Sequence, residues 1–287
     1  MRRGKLLADQ RPTPLEALIE DYLAFCRRQG IDEVSQLDRR ALDHLASELL
    51  DQGGVKGRLS AHSVHSYLRA VNGFLSWARR EGLAAEAKSH LPKLPKKLVE
   101  VLSREEIARL EDGARSYRDK LIIRVLADTG IRAGELCGLR LGDIVEYRGR
   151  GHYLAVRGKG AKDRLVPLPN LHPRLRRYLD RFRPSSDGER VFLALRKAPD
   201  GSYPPLTPSG LGLMVRGAGE AAGLTKRVYP HLLRHSFATE ALARGVNPVT
   251  LAQILGHTSL AMIQQVYAHL SPGQAYEAMA QMLNAGD

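Results

Sequence analysis

The chain has 287 residues, of which 43% are hydrophobic and 26% charged, a composition that excludes a disordered chain and indicates a globular one. Its formal net charge is +13, and the excess is spread along the chain: 17 Lys and Arg stand against 12 Asp and Glu up to residue 98, and 27 against 19 beyond it. Positive charge in both halves favours a polyanionic partner, with nucleic acid preferred over a membrane surface. A soluble basic protein without such a partner is the alternative.

The two cysteines, Cys26 and Cys137, exclude a disulfide framework and a cysteine-rich zinc site, and they suit a reducing cytosol. The basic start "MRRGKLLADQRP" lacks the apolar run of a signal peptide. No stretch approaches the roughly eighteen uninterrupted apolar residues of a transmembrane helix. We therefore expect a cytoplasmic protein with no membrane partner.

The length predicts two domains. In the first, residues 1–91, apolar residues recur at helical spacing around Leu15–Leu23 and again around Val64–Ala78, and "LDRRALDHLASELLDQ" supplies another helix between them. This pattern predicts a small four-helix domain. Residues 92–98 follow as a linker, because the prolines and lysines of "LPKLPKKL" make a stiff, basic and poorly helical connector.

The second domain, residues 99–287, opens with "SREE", in which Ser103 and Glu106 have the spacing of a capping box. Next, "YRDKLIIRVLADTG" predicts a buried helix that Gly130 ends. Two β-rich runs, "HYLAVR" and "DRLVPL", are joined by "GKGAK", which predicts an antiparallel hairpin. Helical patterns then resume and continue to the C-terminus, first at Leu171–Arg183 and then at Thr207–Ala222. The fold class is therefore mostly α, with one small antiparallel sheet in an α+β second domain.

Taken singly, the polar motifs of the second domain have ordinary explanations. Arg132 in "TGIRAGEL" can be a helix-end arginine that pairs with Glu135, and Lys159 in "RGKGAKDR" can be a solvated turn lysine. The "GKG" turn does not complete a phosphate-binding P-loop, because Tyr153 stands where the first glycine of that motif belongs.

The stretch "HLLRHS" has equally weak support for metal or serine chemistry. His231 and His235 are four residues apart, but Leu232 replaces the glutamate of HExxH and no third ligand is obvious, so zinc is not expected. Ser236 lies in no G-x-S-x-G motif, which leaves a serine hydrolase without support.

Together, and in this order, seven residues resemble the tyrosine recombinase family, which includes phage integrases, Xer chromosome-dimer resolvases, and integron and transposon integrases. They are Arg132, Glu135, Lys159, His231, Arg234, His257 in "LGH" and Tyr267 in "QQVYAHL". The stretches "GKGAKDRLVPLP" and "LRHSFAT" are most similar to the Xer and phage-integrase branches. The resemblance covers essentially the whole chain, and it implies an N-terminal SAM-like core-binding domain followed by a catalytic recombinase domain.

The resemblance also implies a division of catalytic roles. Tyr267 would attack a DNA phosphodiester and form a 3′-phosphotyrosyl link, while Lys159 would protonate the departing 5′ oxygen. His231 would accept a proton or donate to the phosphate, and His257 would donate a hydrogen bond to a non-bridging oxygen. Glu135 would support the arginine cluster without itself contacting the phosphate.

Arg132 and Arg234 would clamp the phosphate. Attack on a phosphodiester adds negative charge to the non-bridging oxygens, and preorganised cations stabilise that charge more than they stabilise the ground state. Arginine suits the task because its fork binds phosphate through two hydrogen bonds and never deprotonates. His231 lies three residues before Arg234 and shares its helix face. His235 matches no catalytic position of the family, and we expect a structural role for it.

One spacing departs from the family pattern. His257 and Tyr267 are ten residues apart, one more than usual, which on a continuous helix would turn the phenol by about 100°. We expect a loop to absorb the extra residue. Tyr229 and Tyr276 fit the "YxHL" context less well and are the alternatives for the nucleophile.

The implied reaction needs no cofactor and no metal ion. Its partner would be double-stranded DNA, on which a homo-tetramer, or a hetero-tetramer with a second recombinase, would assemble. The C-terminal "SPGQAYEAMAQMLNAGD" carries a small apolar stripe that would pass to a neighbouring subunit or pack on its own domain. Two rival functions remain: a catalytically silent DNA-binding or architectural protein of this fold, and a type IB topoisomerase. Dimer resolution, phage integration and transposition are not distinguished.

Overall fold

The computed structural model describes residues 14–51, 53, 58–83, 88–94, 100–158 and 163–256, with side chains from residue 19 onward. The chain divides into two compact units, Met1–Lys97 and Leu98–Asp287. The domain boundaries drawn from the sequence stay a prediction. Within the described ranges, no helix combines the length and the apolar character needed to cross a membrane.

The N-terminal unit is helical. Its elements are α1 (Pro14–Gln29), a 3-10 turn (Val34–Gln36), α2 (Arg39–Asp51) and α3 (Ala61–Arg80). Apolar residues from all three helices form the core, including Phe25, Leu42, Leu45, Leu68 and Leu75. The described part of this unit has three α-helices, and the prediction of a four-helix domain stays a prediction. Only a 3-10 turn forms between α1 and α2, where the Gln36 side chain accepts from the backbone N–H groups of Asp32 and Glu33.

Seven α-helices of the C-terminal unit lie in its described part. They are α4 (Arg104–Asp112), α5 (Tyr117–Thr129), α6 (Ala133–Gly138), α7 (His172–Arg181), α8 (Pro208–Ala221), α9 (Pro230–Ala243) and α10 (Pro248–Leu255). The predicted capping box is confirmed. The Ser103 side chain accepts from the Glu106 N–H, and the Glu106 side chain accepts from the Ser103 N–H. The predicted end of α5 is also confirmed, since Gly130 adopts the left-handed conformation there, with a φ of 62°.

A three-stranded antiparallel sheet interrupts the helices. Its strands β1 (Ile144–Glu146), β2 (His152–Val156) and β3 (Arg164–Pro167) lie in the order β1-β2-β3. The predicted hairpin of β2 and β3 is confirmed, with Leu154 opposite Val166 and Val156 opposite Arg164. Strand β1 was not expected, because three residues are too few to show an alternating pattern.

Helix α5 is the centre of the C-terminal core. Leu121, Ile122 and Leu126 are fully buried, as the sequence predicts for this helix. Helices α4, α7, α8 and α9 all pack against α5. This packing brings the C-terminal end of α5 and the start of α6 beside the first turns of α9, so residues distant in sequence meet at one place.

Candidate active site

Arg132 lies at the start of α6, two residues after the glycine that ends α5. Its backbone N–H donates to Glu135 Oε2 at 2.8 Å, and its Nη1 donates to Glu135 Oε1 at 2.9 Å. The Arg132 side chain is 44% exposed, whereas that of Glu135 is 9% exposed. Arg132 is therefore a helix-end arginine paired with Glu135, as the simple interpretation of the motif predicts, and its guanidinium also reaches solvent.

Arg234 reaches the same place from the first turns of α9. It is 3% exposed; its Nη1 donates to the Gly130 carbonyl at 2.5 Å and its Nη2 to the Leu255 carbonyl at 2.8 Å. Burial, together with the positive charge of Arg132, lowers the pKa of Arg234 to about 10, even though Glu135 acts in the opposite direction. The two arginines that the sequence groups into a clamp thus lie in one cluster.

A third arginine, Arg164 at the start of β3, joins this cluster and is not singled out by the sequence motifs. Its Nη1 and Nη2 donate to the two oxygens of Glu135, at 3.0 and 2.8 Å. Its Nε donates to the Ile254 carbonyl at 2.6 Å. One signal in the sequence could have identified it: alternation places Arg164 on the same strand face as buried Val166, where an arginine needs a carboxylate partner.

The C-terminal end of α10 lies against all three arginines. The Ile254 carbonyl accepts from Arg164, the Leu255 carbonyl from Arg234, and the Gly256 carbonyl from Arg132 Nη2 at 3.3 Å. The last carbonyls of a helix point out of its C-terminal end and form the negative end of its dipole. The last turn of α10 therefore offsets part of the positive charge of the cluster.

Among the described residues, Glu135 is the carboxylate that accepts hydrogen bonds from this cluster, through Arg132 and Arg164. Burial raises the pKa of Glu135, but hydrogen bonds from Arg164 and from the Arg132 backbone outweigh that effect and hold the pKa below its ordinary value. Glu135 is thus an anion at neutral pH. The described members of the cluster, three guanidiniums and one carboxylate, carry a net positive charge, which is suited to binding and stabilising an oxyanion.

His231 is exposed on the first turn of α9, three residues before Arg234. Desolvation, then Arg234 and Arg132, lower the pKa of His231 below its ordinary value of 6.5. The ring is consequently neutral at pH 7 and can accept a proton. The His235 ring meets the His231 ring edge-on, with 4.5 Å between the centroids.

The described residues contain no group of three or more His, Cys, Asp or Glu side chains that could hold a metal ion. Ser236, considered above for serine chemistry, is buried; its hydroxyl donates to the Leu232 carbonyl and accepts from the Leu102 N–H.

Tyr229, an alternative nucleophile, is the N-cap residue of α9 and is 41% exposed. Four residues named from the sequence lie outside the described ranges: Lys159, His257, Tyr267 and Tyr276.

Comparison with known proteins assigns the family. Residues 100–274 match the phage integrase family. The chain is 34% identical over 278 residues to tyrosine recombinase XerA of Pyrococcus furiosus, covering 91% of this chain and 92% of the relative. It is 31% identical over 265 residues to tyrosine recombinase XerD of Staphylococcus haemolyticus, covering 89% and 86%.

Comparison with solved structures supports the same family. A crystal structure of XerA recombinase is 30% identical and covers 92% of this chain and 88% of its own, with a TM-score of 0.55. The Tn1549 transposon integrase in complex with circular intermediate DNA shares the fold, with 19% identity, 95% coverage of each chain and a TM-score of 0.72. The chain therefore belongs to the phage integrase family, as a tyrosine recombinase similar to the Xer type.

Proposed function

We propose that the chain is a site-specific DNA recombinase that cuts and rejoins DNA strands through a 3′-phosphotyrosyl intermediate. The observation that carries the proposal is the convergence of Arg132 and Arg234 beside Glu135, with a neutral histidine three residues from the buried arginine. Two guanidiniums fixed at one point can bind both non-bridging oxygens of a phosphodiester, where negative charge grows during attack.

The chemical step follows from the roles that the family resemblance gives to these residues. The Tyr267 oxygen forms a bond to phosphorus while the bond from phosphorus to the 5′ oxygen breaks. The phenol proton passes to His231, and the 5′ oxygen takes a proton from Lys159. A phenol with a pKa of about 10 attacks only with such help, which a base and several cations supply. The ester keeps the bond energy, so a second strand can attack it without ATP.

DNA is the expected polyanionic partner. The family, the basic composition and the descriptions of structurally similar proteins all indicate it. The net charge of +13 is distributed over both halves of the chain. One structural neighbour is described as a lambda integrase dimer bound to a COC' core site, and another as XerH site-specific recombinase bound to difH substrate. We propose the same class of partner here, with the protein acting as a multimer on double-stranded DNA.

The test of this function is covalent capture on DNA. Fragments of the source genome that the wild-type protein protects from nuclease digestion supply the substrate, and a nick beside the scissile phosphate traps the intermediate. Wild-type protein should leave a denaturant-resistant adduct on a 3′ end. Tyr267→Phe should bind the same DNA but form no adduct. An adduct that persists in this variant and disappears in Tyr276→Phe or Tyr229→Phe would relocate the nucleophile.

The same assay separates the rival functions. A catalytically silent DNA-binding protein would protect DNA but form no adduct even with the wild-type chain. A type IB topoisomerase would relax supercoiled plasmid that lacks the protected site, whereas a site-specific recombinase should not.

We also propose a tetramer on DNA, in which the C-terminal segment after Leu270 contacts a neighbouring subunit. Its apolar stripe supports the proposal: Ala275, Ala278, Met279, Met282 and Leu283 recur at helical spacing. A chain truncated after Leu270 should fold and bind one site but lose cooperative occupancy in a mobility-shift assay. Loss of the fold, or unchanged synapsis, would assign the stripe to its own domain.

A further inference from the structure

The Arg164 side chain is held more completely than its exposed neighbour in the cluster. It is 10% exposed, and all three of its guanidinium nitrogens donate hydrogen bonds: Nη1 and Nη2 to Glu135, and Nε to the Ile254 carbonyl. A planar fork that faces both oxygens of a carboxylate fixes its position and its rotation. Arg164 thus determines how the Glu135 carboxylate is oriented.

Arg132 depends on that orientation. It binds the same carboxylate through one side-chain nitrogen, Nη1, and remains 44% exposed. Its other side-chain hydrogen bonds, to the Leu255 carbonyl at 3.5 Å and the Gly256 carbonyl at 3.3 Å, are long, so the 2.9 Å bond to Glu135 is the shortest that positions the guanidinium. The location of the Arg132 guanidinium therefore depends in large part on Glu135, whose carboxylate Arg164 orients.

We propose that Arg164 is a positioning residue for strand cleavage: it orients the Glu135 carboxylate, and through it the Arg132 guanidinium, and it joins β3 to the last turn of α10. The inference rests on the proposed recombinase function. Arg164 need not touch DNA for this role, because it acts through the Glu135 carboxylate that it binds.

Charge gives Arg164 a second effect on the same group. The single negative charge of Glu135 is shared between Arg132 and Arg164. Without Arg164, the whole carboxylate would be available to Arg132, and the cluster would lose one positive charge. A weaker positive field stabilises the transition-state oxyanion less.

The close approach of Gly256 to Arg164 agrees with a fixed position for this side chain. A Cβ built on Gly256 would lie 2.9 Å from Arg164 Nη1 and 3.0 Å from its Cζ, and Gly256 has a positive φ of 65°. Any other residue here would have to displace the guanidinium.

The test compares cleavage rates at saturating DNA, using the nicked duplex on which the wild-type protein forms its adduct. Arg164→Gln should lower the single-turnover rate by about ten- to a hundredfold, the range typical when a partner that orients a functional ligand is removed. Its DNA affinity should stay close to wild type. A rate that falls only as far as DNA affinity or the folded fraction falls would overturn the inference.

Arg124→Gln is the matched control. Arg124 donates twice to Glu111, which it shares with Arg174, so it reproduces the arrangement of two arginines on one carboxylate. Its loss should lower stability in a similar way but leave the cleavage rate unchanged. A loss of cleavage equal to that of Arg164→Gln would show that general destabilisation explains both.

A double-mutant cycle tests the route through Glu135. If Arg164 acts through this carboxylate, Arg164→Gln should slow a Glu135→Gln protein little further. Independent losses that multiply in the double variant would contradict the proposed route. Should Arg164→Gln fail to fold, Arg164→Lys serves instead: it keeps the charge but loses the fork, so cleavage should still be slower than wild type.

Two failures are distinguishable in this design. If the wild-type chain forms no adduct on DNA, the proposed recombinase function fails. If the wild-type chain cleaves and both Arg164→Lys and Arg164→Gln cleave as fast as the wild type, only the positioning role of Arg164 fails.

Discussion

The buried guanidinium of Arg234 donates to the backbone carbonyl of Gly130 at 2.5 Å, although 104 residues separate them in the sequence. Gly130 is also the residue that ends α5, in the left-handed conformation with a φ of 62°. A Cβ on Gly130 would lie 2.5 Å from a Phe237 ring carbon and 2.7 Å from a Leu255 methyl. The end of one helix thus forms part of the pocket that holds the buried arginine.

Gly130→Ala should destabilise the protein. Left-handed backbone costs an L-residue about 1–2 kcal/mol, and forcing extra atoms into a packed site costs about 1–3 kcal/mol more. We expect the denaturation midpoint in urea to fall accordingly, with cleavage reduced in the protein that remains folded. Gly134→Ala is the control: its Cβ meets nothing within 4 Å, so alanine in this helix should be neutral or stabilising. Equal midpoints for the two variants would contradict the argument.

The pH dependence of cleavage should reflect His231. Desolvation and the adjacent arginines lower the pKa of His231 below 6.5, so the proton-accepting form persists to lower pH than in a free histidine. The second-order rate constant at limiting DNA, which reports the free protein, should therefore hold between pH 7.5 and about 6.5 and decline only below that range.

His231→Gln should lose that acid limb, whereas His235→Gln, which removes the neighbouring ring, should keep it. A limb centred above pH 6.5 in the wild-type protein would show that another group is the proton acceptor.

Much of the local structure is predictable from the sequence because it depends on neighbouring residues. The Ser103 capping box, the glycine at the end of α5, and the pairing of Arg132 with Glu135 all involve residues within three or four positions. Such contacts form wherever the local backbone allows them. The grouping of Arg132 with Arg234 came from a family resemblance, not from spacing.

The parts of the site that could not be predicted from the sequence depend on contacts between distant segments. Arg164 meets Glu135 across 29 residues and Ile254 across 90, and no local pattern encodes either contact. Only its place on the inward face of β3 indicates that it needs a buried partner. Likewise, the carbonyl groups that α10 offers to the arginines depend on how α10 packs, which the helix sequence alone does not specify.

Acid should weaken the fold through Glu135. The folded-state pKa of Glu135 lies below its ordinary value of 4.5, so its contribution to stability is present above pH 4.5 and is lost as pH falls through the folded-state value. At pH 7, Glu135→Gln should lower the free energy of unfolding by about 3 kcal/mol, as expected when one partner of a buried ion pair is removed.

Denaturant titrations at pH 7 and pH 3 should show that the difference in the free energy of unfolding between wild type and Glu135→Gln becomes smaller in acid. The control is Glu189→Gln, because Glu189 is 72% exposed and pairs with Arg140 at the surface. Its effect should stay below about 1 kcal/mol at both values of pH. A gap for Glu135→Gln that is independent of pH would mean that the carboxylate charge contributes nothing.

Chelation should leave cleavage intact. In the proposed mechanism, Arg132 and Arg234 neutralise the phosphate, a task for which other enzymes use divalent ions. Adduct formation in excess EDTA should therefore proceed at the rate measured without it. A cleavage step that stops in EDTA and resumes with added Mg²⁺ would contradict the arginine clamp.

A leaving group that needs no proton should restore cleavage to a protein that lacks Lys159. As the proposed general acid, Lys159 protonates the 5′ oxygen as it departs, so Lys159→Ala should cleave an ordinary phosphodiester slowly. A 5′-bridging sulfur leaves as a thiolate, whose conjugate acid has a pKa of about 8.5, and it needs no proton. The sulfur-containing substrate should therefore restore much of the rate to Lys159→Ala. Arg132→Ala should gain far less, because Arg132 acts on the non-bridging oxygens, which the sulfur does not change. Equal rescue of both variants, or rescue of neither, would mean that Lys159 binds DNA without donating the proton.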